Sequence, residues 1–236
     1  MAQNKTGRYF KYAIGEIILV VIGILIALQI NNWNETKKKR MSWKTYTESL
    51  IKDLKQDTTT LNMVTKYIND DSLSIEKISS RLSSEHATVD SLIKIARYEL
   101  RINSKAYRPP NDKTFLAMQA NGTIELFDNE TYALLLDLQN QQAIAGSIIK
   151  VNNEGFDKQI DYITSKYGLH EFNSLKGPLI EKSWENVNED DLFKTVQGFI
   201  TAKKMMNRYT GLKYNDLLNT TEKVLTRLVE VNNELN

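Results

Sequence analysis

WKTYTESLIKDLKQDTTTLNMVTKYINDDSLSIEKISSRL, residues 43–82, carries an apolar repeat of seven. Leu54, Leu61, Ile68, Ile75 and Leu82 mark one position of that repeat, and Trp43, Leu50, Val64 and Ile78 mark the alternating one. A seven-residue period keeps these side chains on one stripe of a helix, as in a bundle or a coiled coil. The predicted helix runs from about Lys39 to Ser84, on the order of 65 Å at 1.5 Å per residue. Two seam positions hold Asp57 and Asp71 instead of apolar residues. A buried carboxylate costs several kcal/mol unless it is paired. The seam must open to water there, or meet Lys or Arg from another helix. The pattern favours an intramolecular bundle helix over a parallel homodimeric coiled coil, and a break near Asn69-Asp70-Asp71 is a further option.

On the amino side of this seam stands YAIGEIILVVIGILIALQINNWNE, Tyr12 to Glu35. Ala13 to Ile30 is apolar except for Glu16 and Gln29, about the length that spans hydrocarbon. Its twelve Ile, Leu and Val residues favour insertion by on the order of 5 kcal/mol in total, enough to outweigh one acid near the end. A cleaved signal peptide has a shorter core and a small-x-small site, and neither is present. Trp33 at one end and Tyr9, Phe10 and Tyr12 at the other suit the interfaces. The expected layout is a short basic segment at 1–12, an uncleaved transmembrane anchor at 13–31 and a helical bundle at 32–236. Lys5, Arg8 and Lys11 oppose Lys37, Lys38, Lys39, Arg40 and Lys44, so charge near the ends is close to balanced. We take the amino end as inside and the bundle as periplasmic, since a long carboxy-terminal region can translocate despite charge; a cytoplasmic bundle is the alternative.

Glu16 lies about one turn inside the amino end, where the helix dipole favours an anion and the carboxylate can reach headgroups. Arg8, Lys11 or Tyr12 are its expected partners. The sharper readings are a contact with a partner helix, or a proton site in an ion-driven envelope assembly. Gly23 and Ala27 form a small-xxx-small pair through which another helix can approach closely, although such pairs are common in membrane helices.

The Tyr12–Glu35 block resembles the signature of an uncharacterised family of single-pass membrane proteins common in Bacteroidota bacteria. Members carry this block near the amino end and follow it with a helical domain of similar length. The likeness is specific over Lys5 to Glu35 and looser over Thr114 to Asn140. It implies an envelope membrane protein of the bacterial inner membrane, and it supplies no activity.

Carboxyward of the seam, a second helix is predicted over Val89 to Asn103 with Thr88 as cap. Pro109-Pro110 then forces an extended linker. A short helix ends at Asn121-Gly122, Thr123 to Phe127 reads as extended, and Asp128 or Asn129 caps a helix to about Asn153. Gly155, Gly168 and Gly177-Pro178 divide the next stretch into a short helix and a loop. Asn188-Glu189-Asp190-Asp191 opens a helix that buries Leu192, Val196, Phe199 and Ile200 and ends near Gly211. A last helix carries Leu217, Val224, Leu228, Val231 and Leu235, and packs against the first to close an all-α antiparallel bundle near the membrane.

The chain has 236 residues, 31 Lys and Arg against 29 Asp and Glu, and no cysteine. A net charge of +2 gives no reason to expect a nucleic-acid binder, and the missing thiols exclude disulfides and thiolate metal sites. Three prolines and ten glycines favour helices over sheets. His86 and His170 fall in loops and begin no metal motif. No phosphate loop, dinucleotide fingerprint or nucleophile elbow occurs. The Asn-x-Ser/Thr triplets at Asn34, Asn121, Asn129 and Asn219 need carry no glycan in a bacterial chain. Tyr98, Tyr107, Phe115 and Phe127 read as core aromatics, with a ligand pocket as the alternative. The expectation is a non-enzymatic, cofactor-free module whose partners are the lipid bilayer and an envelope protein or a second copy. A ligand-sensing bundle is the competing reading; about twelve residues ahead of the anchor are too few for an output domain, so a sensor would signal through a separate protein.

Overall fold

The computed structural model describes residues 5–168 and 176–235, and every regular element among them is helical. α1 is one uninterrupted helix from Lys5 to Leu82, 78 residues long, and therefore about 115 Å from end to end. It joins the apolar segment to the heptad seam without a break, including at Asn69-Asp70-Asp71. Its remaining elements are α2 (Val89–Tyr98), α3 (Lys113–Ala120), a 3₁₀ turn (Thr123–Leu126), α4 (Asn129–Lys166), α5 (Pro178–Glu185) and α6 (Glu189–Leu235).

α6 is the central member. It runs antiparallel to both α1 and α4: Ile68 of α1 meets Gly211, and Asp71 meets Lys203. On α4, Asp128 meets Arg227 and Lys166 meets Asp191. α3 and the linker at 99–112 fill the furrow that parallel α1 and α4 leave between them. One hydrophobic core gathers Leu50, Leu54, Leu61 and Ile68 with Phe115, Leu135, Ile149, Leu217, Val224 and Leu228. A second, farther from the amino end, gathers Ile75, Ile78, Leu92, Ile95, Phe156, Phe199 and Trp184. A buried polar layer of Asp71, Lys203, Asn207 and Thr210 lies between them.

The seam prediction holds for Leu50, Leu54, Leu61, Ile68, Ile75 and Ile78, all buried. Several boundaries differ, each for a physical reason. α2 stops at Tyr98 instead of Asn103, because Glu99 and Leu100 both donate to the Ile95 carbonyl and Leu100 turns into the core. Thr123 to Leu126 is a 3₁₀ turn instead of an extended strand: Ile124 and Phe127, three apart, are both buried, and the Asn121 carboxamide accepts from Thr123 N–H. α4 continues past Asn153 through Gly155 to Lys166, since burying Phe156 and Ile163 outweighs the roughly 1 kcal/mol that a helix glycine costs. The two helices expected on either side of Gly211 are one. Gly211 is a crossing point, where an added Cβ would sit 3.3 Å from the Ile68 side chain. Gly122 does adopt the left-handed conformation expected of it, at φ 73°.

One helix among the described residues, α1, is long and apolar enough to cross a membrane, judged by length and composition. Residues 12–42 are exposed throughout, and burial begins only at Trp43, which packs edge-on against Phe127 at 6.0 Å.

Candidate functional site

The bare part of α1 holds the residues singled out in its apolar segment. Glu16 is exposed and lies with Tyr12, Gly15, Leu19 and Val20 around a shallow cleft. No hydrogen bond or ion pair reaches its carboxylate among the described residues; the side chains of Arg8 and Lys11 lie outside them. A Cβ added at Gly23 would meet nothing within 4 Å, and Ala27 one turn later is equally uncovered. Helical spacing brings Glu16, Gly23 and Ala27 to one side of α1, and the bundle covers none of them.

The two seam carboxylates find different solutions. Asp71 takes the second of the two options open to a seam acid, a cation: Lys203 Nζ lies 3.0 Å away, with side-chain exposures of 1% for Lys203 and 10% for Asp71. Asn207 donates to the same oxygen at 2.8 Å, and the Lys203 ammonium also donates to the Asn103 carbonyl and sits 4.8 Å from the Phe156 ring centre. Asp57 meets no Lys or Arg among the described residues. Its partner is the Asn111 backbone N–H, shared between both oxygens at 3.1 Å.

Asp57 belongs to a polar site built around the linker. One turn earlier, Asp53 accepts from the Asn111 carboxamide at 2.8 Å and from the Thr114 hydroxyl. Two carboxylates four apart on one helix repel each other, and here the linker residues that follow Pro109-Pro110 hold both. Tyr107 donates to the Gln142 carbonyl at 2.8 Å, its ring pressed where a Cβ on Gly146 would come within 2.8 Å. Asn153 of α4 donates to the Lys105 carbonyl. The linker thus has no regular structure of its own and is pinned by side chains of α1, α4 and α6.

Beside it opens a groove of about 480 Å³ walled by α1, α6 and the linker, with Asp57, Thr60, Arg108, Lys113, Gln142 and Thr221 among its lining. An apolar cavity of about 290 Å³ lies on the other side of Pro110 and Asn111, against Leu54, Tyr107, Phe115 and Leu138. Burial pushes the Asp57 carboxyl above its ordinary range, more strongly than the Asn111 N–H lowers it, and nearby Asp53 and Asp112 add to the rise. Burial likewise pushes the Tyr107 phenol up to about 12. Of the four aromatics considered for a pocket, Tyr107 and Phe115 line the cavity, Phe127 is core and Tyr98 is exposed.

Asp57 was marked in the sequence as a misfit in the seam, but Asp53, Arg108, Asn111 and Lys113 were not. The readable signal was the Asp53/Asp57 pair itself, since like charges at that spacing call for a shared partner. His86 is exposed beyond α1, and His170 lies outside the described residues. The acidic Asn188–Asp191 run starts α6, where Asn188 caps the Asp191 N–H at 2.9 Å and Asp191 pairs with Lys166 at 2.7 Å.

A family model described as a family of unknown function (DUF6090) matches residues 16–202. No curated protein and no solved structure matches the chain.

Proposed function

The chain belongs to the DUF6090 family, and we propose that it is a non-catalytic, single-pass membrane module that holds a helical bundle at a fixed height above the bilayer. The carrying observation is that α1 passes as one helix from an entirely exposed apolar segment into the seam of the bundle. A rigid helix transmits position, so anchoring residues 13–31 sets where the bundle stands. Those residues span about 28 Å, close to the hydrocarbon thickness. Residues 32–42 add about 17 Å of bare helix before the bundle begins. The proposed setting is the inner membrane of a Bacteroidota-type envelope, with the bundle in the periplasm and a cytoplasmic bundle as the alternative. The resemblance of the anchor block to single-pass envelope proteins supports it.

The partner is another envelope protein or a second copy, met through the Gly23–Ala27 side of the anchor. Placing a photo-crosslinking residue at Ala27 in native membranes is expected to trap one discrete product, reduced by Gly23→Leu, which blocks close helix approach. A monomer alone, with nothing co-purifying, counts against the module having a partner. The same exposure serves the alternative in which Glu16 is the protonatable group of an ion-driven assembly.

A further inference from the structure

The polar groove beside the linker has charges of both signs that form no ion pair among the described residues. Asp57 lines it at 9% exposure, and its one donor among the described residues is a single N–H split between two oxygens. A carboxylate accepts about four hydrogen bonds, so most of its capacity is unfilled. Arg108 and Lys113 lie on the same groove, both exposed, and make no ion pair among the described residues. Taken from water and left without a cation, a carboxylate gains more from an incoming ammonium than an exposed one does. A simple anion attracted to Arg108 and Lys113 would face Asp57 on the same groove. A diamine attracted to Asp57 would bring its second charge against Arg108 and Lys113. Only a ligand carrying both signs satisfies the two ends together.

We propose that this groove binds a zwitterionic amino acid or short peptide, its ammonium on Asp57 and its carboxylate on Arg108 and Lys113. Leu61, Leu217 and Pro109 supply apolar wall for the atoms between the two charges. At about 480 Å³ the groove falls within the size range of small-molecule sites. The linker forms one wall and is pinned mostly by single side-chain contacts, so occupancy bears on how firmly it sits. This inference stands whether or not α1 spans a membrane.

The test is calorimetric titration of the detergent-solubilised full chain with L-amino acids singly and with Ala-X dipeptides. At least one probe is expected to bind with a Kd below about 1 mM. Acetylating its amine, or amidating its carboxylate, weakens binding about tenfold or more, as loss of one charge-assisted contact predicts. In Asp57→Asn the effect of acetylation disappears. In the double variant Arg108→Gln, Lys113→Gln the effect of amidation disappears; both side chains are exposed, so this arm remains readable even if Asp57→Asn fails to fold. Absence of binding by every probe up to about 10 mM, or binding indifferent to both caps, overturns the proposal.

Discussion

Asp128 shows how much one side chain can organise at a helix start. It caps α4 by accepting from Thr131 N–H at 2.9 Å and from the Thr131 hydroxyl at 2.7 Å, and it reaches Arg227 of α6 at 3.0 Å. The Thr131 bonds, with help from Arg227, hold its carboxyl at about 2 against an ordinary 3.8. A carboxyl whose folded value is lowered contributes above the unfolded value and loses that contribution as pH falls through the folded one. Asp128→Ala is therefore expected to cost about 1 kcal/mol, a typical cap loss, in thermal or denaturant unfolding at pH 7. The gap to wild type should close between about pH 4 and pH 2. A gap unchanged across that window would show that the charge is not what caps the helix. The cap was legible to within one residue, since Asp128 and Asn129 both suit a helix start, and the structure selects Asp128. Asn111 was not, because its value lies in which carboxylates the fold brings to its N–H and carboxamide.

At the scale of elements, the seven-residue spacing in α1 predicted its buried face correctly, and the two acids in the seam predicted that something unusual must meet it. What met it was not readable locally. Lys203 sits 132 residues from Asp71 in the chain, and nothing around it distinguishes it from a solvated lysine. Glycine misled for a related reason. Gly155 and Gly211 resemble helix ends in sequence, yet one is carried through by buried neighbours and the other admits Ile68 at a helix crossing. The buried pair makes a sharp prediction. Lys203→Met strands the Asp71 carboxylate and should cost about 3–5 kcal/mol in chemical unfolding, while Asp71→Asn combined with Lys203→Met should recover much of that loss. Asn at that position still accepts from Asn207. Additive losses in the double variant would mean that the two charges are not coupled.

For the whole molecule, the sequence read the all-α class, the long first helix and its packing on the last. The groove was out of reach because it exists only where α1, α6, the linker and the edges of α3 and α4 meet, and no one segment carries its pattern. At this scale stands the proposal that α1 crosses the bilayer between residues 13 and 31 and emerges on the far side before the bundle begins. The absence of cysteine makes single-cysteine labelling clean. The decisive measurement is labelling by a membrane-impermeant maleimide, from each side of sealed vesicles, of full chains bearing Gln3→Cys, Leu25→Cys or Thr45→Cys. Leu25→Cys is expected to be protected from both sides, and Gln3→Cys and Thr45→Cys to label from opposite sides, the latter periplasmic. Labelling of Gln3→Cys and Thr45→Cys from the same side, or of Leu25→Cys as readily as either, would contradict the proposal.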